Sequence, residues 1–363
     1  MRIGIVTQPL TANYGGYLQN YALQEVLRRN GHMPMTIDVG NRISFARFIF
    51  SSMRSLLFWF IPSKRRPFAK FKETQRNIRK EEFDKFIDKY ISKTRDTNKY
   101  SPGCIRKYKF DAIVVGSDQV WRPLYNKSIE DMYLRFVKSS KVKKVAYAAS
   151  FGAAKWEYTP EQTLNCQYYA QRFDAISVRE ISGIELCRKH LAVYASMVLD
   201  PTLLLNNKDY EYLCENIPRT IDSPFIAAYI LDRSKIIDDV LGDISKSRGM
   251  EMRIFEADAK SILSVEEWLA VYRDASFIVT DSFHGTVFSI IFNKPFVCLG
   301  NENRGNARFD SLLGIFDLKD RYVAEYTDAI NVVSQPINWS KVNTILEAKR
   351  KESLGFLVQA LNS

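Results

Sequence analysis

The sequence predicts an α/β chain of two doubly wound lobes facing a cleft, each a mostly parallel sheet covered by helices on both faces. Three observations carry that expectation. Short apolar runs alternate with helical patterns, as parallel sheets buried on both faces require. The alternation pauses once, at PTLLLNNKDYEYLCENIPRTIDSP (201–224), a polar stretch with three prolines, and then restarts. The length, 363 residues, exceeds the roughly 250–300 at which a single core stops growing.

The elements follow in order. Ile3 to Thr7 is a strand-like run, Gly15-Gly16 breaks it, and LQNYALQEVLRRNG places Leu18, Ala22, Leu23, Val26 and Leu27 on one helical face. Gly31 stands where a C-cap glycine would, and MTIDV is a second strand. DAIVVG (111–116), KVAYAAS (144–150), DAISV (174–178) and MVLD (197–200) are further strands, with helices over about 160–172 and 180–190. The second series runs FIAAYIL (225–231), a helix to about 247, MRIFEA (252–257), a helix over VEEWLAVYRDA, FIVT, a helix from about 284, and PFVCL. The expected division is 1–205 for the first lobe, 206–340 for the second and 341–363 for a C-terminal helix. Residues 41 to about 100 interrupt the first lobe with a basic-aromatic stretch, NRISFARFIFSSMRSLLFWFIPSKRRPFAKFKE. Two interpretations fit it: a helical hairpin packed on its own lobe, or peripheral contact of 41–70 with the anionic inner face of a membrane.

Composition narrows the function. Fifty-two Lys plus Arg against 41 Asp plus Glu give +11, which favours an anionic partner. Nucleic acid is not expected, since no recognisable module accompanies the charge. Five scattered cysteines without a Cys-x-x-Cys pair suit a reducing cytoplasm. MRIGIVTQ lacks the pattern of a secretory signal, and no apolar run approaches the roughly 20 residues of a spanning helix. His32, His190 and His284 lie on separate elements, so no metal is expected. Neither a Gly-x-Gly-x-x-Gly after a strand nor a Walker-type loop appears.

One turn stands out. In FIVTDSFHGTVFSIIF the strand FIVT ends at TDSFHG and a helix follows, at the sheet edge where α/β folds bind ligands. Asp281 or Ser282 is placed to be the N-cap, Gly285 lets the backbone come close, and the first-turn N–H groups form an anion site. His284 at this helix start can move a proton near neutral pH. The competing assignment is a histidine that only hydrogen-bonds the neighbouring turn.

The segments GIVT, NYGGYLQNYALQEVLRRNG, VVGSDQVWRP, AYAASFG, SVRE with Gly183 close behind, VLDPTLLL and TDSFHGTVFSIIFNKP, in this order from residue 3 to about 313, resemble the polysaccharide pyruvyl transferase family. The resemblance implies two Rossmann-like lobes similar to GT-B glycosyltransferases. It also implies pyruvyl transfer from phosphoenolpyruvate to hydroxyls of a cell-surface polysaccharide or its lipid-linked precursor, giving a ketal. Phosphoenolpyruvate is then the donor substrate and no cofactor is implied.

On that footing His284 does general acid/base work with Asp118, and Arg179 in SVRE captures phosphate or carboxylate. Ser282, Gly285 and Thr286 line the donor site. Some family members carry an arginine where this chain has Ser282, and Arg304 and Arg308 are expected to supply that charge. Asn13, Tyr14, Gly15 and Gly16, with Ser117 and Trp121, are expected on the acceptor side, the indole covering a sugar face. The competing assignments are Arg179 paired with Glu180 or Glu185, Asp118 as an N-cap, Trp121 as a core residue, a tight turn at Gly15-Gly16, and solvated loop arginines. Two rival functions remain: a GT-B-type transferase using a nucleotide sugar, and a non-catalytic protein binding anionic glycan.

Overall fold

The computed structural model describes residues 1–10, 13–39, 81–95, 97, 99–220, 223–256, 263–300, 306–324 and 328–362. The first lobe carries β1 (Arg2–Val6), α1 (Tyr14–Arg29), β2 (Met33–Thr36), α2 (Pro102–Tyr108), β3 (Ala112–Val115), β4 (Lys143–Ala149), α3 (Pro160–Ala170), β5 (Ala175–Val178), α4 (Ile181–Leu186) and β6 (Ser196–Met197). Its strands form one six-stranded sheet in the order β2-β1-β3-β4-β5-β6, and every pairing is parallel. α5 (Asn207–Leu213) leads into the second lobe: β7 (Phe225–Ile230), α6 (Lys235–Arg248), β8 (Glu251–Glu256), α7 (Val265–Asp274), β9 (Phe277–Thr280), α8 (Phe283–Ile291), β10 (Phe296–Leu299), α9 (Ala307–Ile315), β11 (Tyr322–Val323) and α10 (Ala329–Val333). Here the order is β11-β10-β9-β7-β8, again parallel throughout.

Local chemistry explains these elements. All residues of β3, β9 and β10 are buried, as central parallel strands covered on both faces must be. α1 begins at Asn13, whose side chain accepts from the Gly15 N–H at 3.1 Å, and ends before Gly31, which adopts a φ of 77°. α3, α5 and α7 each start with a complete capping box.

Each sheet has one switch point, where successive connections leave in opposite directions: between β1 and β3 in the first lobe, and between β7 and β9 in the second. Ligands in such folds sit beyond the carboxyl ends of those strands. The segments leaving β1, β3 and β9 are the ones that hold Gly15, Ser117 with Asp118, and His284.

The lobes share one continuous apolar core that takes in Leu18, Leu23 and Tyr147 of the first lobe and Trp268, Phe288 and Ile290 of the second. Tyr14 crosses the seam: its ring stacks on Trp268 at 5.3 Å, and its hydroxyl donates to the Leu263 carbonyl at 2.8 Å. α11 (Trp339–Asn362) returns to the first lobe. The Leu199 N–H donates to Ser353 Oγ at 3.0 Å, and Arg350 Nη2 donates to the Leu205 carbonyl at 2.6 Å. The expected C-terminal helix is thus part of the first lobe's cover. Of the basic-aromatic insertion, helical residues 81–90 pack inward, with Phe83 stacked on Tyr17. The stretch 41–70 proposed to touch a membrane lies outside the described residues. No helix among the described residues is long and apolar enough to cross a membrane.

Candidate active site

The carboxyl edges of the two sheets converge on a nearly closed cluster. β3 runs into Gly116, where an added Cβ would lie 2.0 Å from the Tyr147 carbonyl oxygen, so only glycine fits. The next residue, Ser117, is held from both sides. Its N–H donates to Gln19 Oε1 of α1 at 3.1 Å, and its Oγ lies 3.0 Å from both the Ala148 carbonyl and Asp200 Oδ2. Gln19 in turn donates to Thr7 Oγ1 and the Gly16 carbonyl, which ties the loop after β3 to the start of α1.

Arg179, one residue past β5, is the hub. Its Nη1 lies 2.7 Å from Asp200 Oδ2 and its Nη2 3.1 Å from Asp118 Oδ1. The guanidinium sits 4.6 Å from the centre of the Phe283 ring, a cation–π contact made by the second lobe. Asp200 is fixed by Thr202, whose Oγ1 and N–H both donate to Oδ1. His284 Nε2 is 3.9 Å from Asp200 Oδ2 and has no hydrogen-bond partner among the described residues.

These charges tune one another. Burial alone would raise Asp118 and Asp200, but Arg179 and His284 hold both carboxyls below their ordinary values. Burial pushes His284 below the ordinary imidazole value; Asp200 pulls it up and Arg179 opposes that, leaving it lowered. The imidazole is therefore neutral near neutral pH. Arg308 is pushed down to about 10 by burial and by Arg179. Glu180 is raised by burial against the pull of Arg179. Its Oε1 accepts from the N–H groups of Phe151 and Gly152, while Oε2 has no partner among the described residues.

A prediction follows for Glu180. A carboxyl whose folded pKa is raised contributes stability that is lost as pH rises through that value. Glu180→Gln is therefore expected to gain stability relative to the wild type as pH rises above the ordinary glutamate value of about 4.3. Thermal melts of both proteins check this. A variant that instead loses ground with rising pH would refute it.

Of the residues singled out from sequence, His284, Asp118, Ser117, Arg179, Gly15 and Ser282 come together at the seam. Arg308 joins them, its guanidinium 5.4 Å from the Phe283 ring. Ser282 rather than Asp281 caps α8, accepting from Gly285 N at 3.3 Å. Asp281 instead accepts from the Leu231 and Asp232 N–H groups and anchors the loop after β7. Gly285 is confined to glycine, because a Cβ would lie 2.3 Å from Thr280 Oγ1.

Four expectations need correction. Trp121 is fully buried, stacked on Tyr133 at 4.8 Å with its N–H given to the Met132 carbonyl, so it has no face for a sugar. Tyr14 is spent on the lobe seam, its ring on Trp268 and its hydroxyl on the Leu263 carbonyl. Thr286 is wholly buried, and its hydroxyl donates to the Ser282 carbonyl. Arg179 is not an open anion clamp, since both terminal nitrogens already hold carboxylates, and those are neither Glu180 nor Glu185. Asn13 is the exposed cap of α1 and Gly16 is partly exposed beside it. Arg304 lies outside the described residues.

Sequence reasoning missed the roles of Asp200, Glu180 and Gln19. For Asp200 a signal existed: an acid between an apolar strand and a proline, at the carboxyl edge of the sheet, is an N-cap facing the ligand side. A wider cleft of about 1090 Å³ lies at the far end of α1, lined by Arg28, Arg29, Tyr90 and Tyr212 among others. It contains none of the residues of the buried charge cluster.

Two parallel α/β lobes that meet carboxyl edge to carboxyl edge over a charged seam have the fold of the GT-B type. A family model described as polysaccharide pyruvyl transferase matches residues 13–303, and the chain belongs to that family. No curated protein matches the sequence. Among solved structures, UDP-GlcNAc 2-epimerase from Neisseria meningitidis bound to UDP-GlcNAc is similar at 10% identity and a TM-score of 0.50, covering 99% of each chain. The Methanocaldococcus jannaschii UDP-GlcNAc 2-epimerase in complex with UDP-GlcNAc and UDP is similar at 10% identity and a TM-score of 0.50, covering 96% of this chain and 99% of that one. At such identities the likeness is one of fold.

Proposed function

We propose that this transferase moves the pyruvyl carbons of phosphoenolpyruvate onto two hydroxyls of a sugar in a polysaccharide or its lipid-linked precursor. The observation that carries the proposal is the position of His284, beside the Asp200 and Asp118 carboxylates at the facing edges of two α/β lobes, in a chain of this family.

The donor is strongly anionic. The start of α8 attracts it, with the Gly285 N–H already taken by Ser282 and those of Phe283 and His284 next in line. Arg308 adds a cation there. A bound anion favours the charged imidazole, so donor binding brings a proton to His284. The imidazolium protonates the methylene carbon, which becomes the methyl group. The first hydroxyl oxygen then bonds to the neighbouring carbon and returns its proton to the imidazole. Phosphate leaves with its bridging oxygen, the second hydroxyl adds at the same carbon, and its proton departs on the phosphate. One diol and one phosphoenolpyruvate give one ketal and one inorganic phosphate. Asp200, 3.9 Å from Nε2, stabilises the imidazolium in each half of the cycle.

The test is incubation with phosphoenolpyruvate and a panel of acceptor glycans, reading phosphate release and the new ketal methyl signal by NMR. Matched appearance of both supports the proposal. If UDP or GDP binds while phosphoenolpyruvate neither binds nor releases phosphate with any acceptor, nucleotide-sugar chemistry replaces it.

A further inference from the structure

His284 belongs to the second lobe, yet its ring lies against the first. An ideal Cβ built on Gly15 would fall 1.9 Å from His284 Nδ1, 2.3 Å from its Cγ and 2.6 Å from its Cε1. No real Cβ tolerates such distances, so the ring rests directly on the Gly15 backbone. Gly15 is in the first turn of α1, immediately after Tyr14, which stacks on Trp268 and bonds to the Leu263 carbonyl across the seam. On the ring's other side stands Asp200 of the first lobe. The imidazole is therefore carried by one lobe and seated by the other.

We infer that Gly15 is a positioning residue for His284: the first lobe seats the proton-transfer group through the bare backbone of α1, and Tyr14 holds that backbone against the second lobe. The glycine is required for space, since its helical conformation suits any residue and it is not among the positive-φ glycines. The consequence is a division of labour. The second lobe supplies the imidazole, and the first decides whether it is buried beside Asp200 or released towards solvent. A histidine seated by both lobes confines proton transfer to their buried seam, where water is excluded. The role in turnover rests on the pyruvyl-transfer proposal; the seating itself does not.

The experiment is Gly15→Ala, with Gly16→Ala as a matched control, because a Cβ at Gly16 meets only Asn13 atoms at 3.8 Å or more. With three histidines in the chain, the imidazole of His284 is readily assigned by NMR. In Gly15→Ala its titration is expected to move up towards the ordinary value as the ring leaves its buried seat, while Gly16→Ala leaves it in place. Phosphoenolpyruvate-dependent kcat is expected to fall at least tenfold in Gly15→Ala. A double-mutant cycle guards against simple misfolding: Gly15→Ala should destabilise the wild type but not a His284→Ala background, where the clashing ring is gone and alanine favours the helix. An unmoved His284 titration, or an equal stability cost in both backgrounds, overturns the seating. Absence of phosphate release in the wild type, with the titration shift intact, would count against the reaction alone.

Discussion

His284→Asn is expected to lower phosphoenolpyruvate-dependent phosphate release by about 10²–10⁴-fold, the usual worth of a general acid/base, while donor affinity stays within roughly threefold. Asparagine keeps a short polar side chain at the start of α8 and leaves Ser282 as its cap, so the helix terminus that attracts the anion survives and only proton transfer is lost. The sign of the histidine's titration gives an independent check. Burial places the free imidazole below its ordinary value of about 6.5, and an anion beside it favours the charged form. Adding phosphoenolpyruvate should therefore move the His284 titration to higher pH, and kcat should fall as pH rises through the new value. A protein that only binds anionic glycan would keep its affinity in the variant and have no turnover to lose. Unchanged phosphate release in His284→Asn would remove the histidine from the mechanism.

The fold was legible because its signals are local. The four buried residues in each of β3, β9 and β10 read as parallel strands on their own composition, and the turn TDSFHG announced a helix start at a sheet edge. What escaped depends on distant partners. Trp121 follows Asp118 in a loop and looks available to a sugar, yet it is buried against Tyr133 and bonded to Met132. Arg179 has Glu180 and Glu185 nearby in sequence, and these were the competing partners. Its actual partners are 61 and 21 residues away, while Glu185 bonds Arg188 at the surface. The contact between Gly15 and His284 joins opposite lobes, and no spacing in the chain announces it. MVLD was expected to be a strand throughout, but β6 covers only Ser196–Met197. The chain then gives up sheet pairing so that Asp200 can cap the turn at Pro201 and reach Arg179.

Arg179→Ala is expected to cost about 3–5 kcal/mol, the penalty for removing one partner of a buried ion pair, and at roughly 2–4 °C per kcal/mol for a domain-sized unit to lower Tm by about 10 °C. The cost is high because two carboxylates lose the same cation: Asp118 and Asp200 are both buried, and the guanidinium, together with His284, holds them ionised. The pH dependence distinguishes this from lost packing over Phe283. In the wild type both carboxyls have lowered folded pKa values, so their contribution is present above the unfolded value of about 3.9 and is lost as pH falls through the folded ones. In the variant they are buried without a cation and their pKa values rise, so acidification relieves it. The gap in Tm between the two proteins should therefore be widest near neutral pH and narrow towards about pH 4, and Asp200→Asn added to the variant should recover part of the loss. A gap independent of pH would mean that the cost is packing alone. In Arg179→Ala, loss of donor binding would follow from a disrupted seam as readily as from a lost contact, so Arg179→Lys is the variant that tests the donor. Arg179→Lys keeps a cation between the carboxylates but not the two-pronged geometry. If that variant stays folded and loses phosphoenolpyruvate affinity, Arg179 exchanges a carboxylate for the donor during binding; if affinity holds, Arg179 serves to keep Asp118 and Asp200 charged for His284.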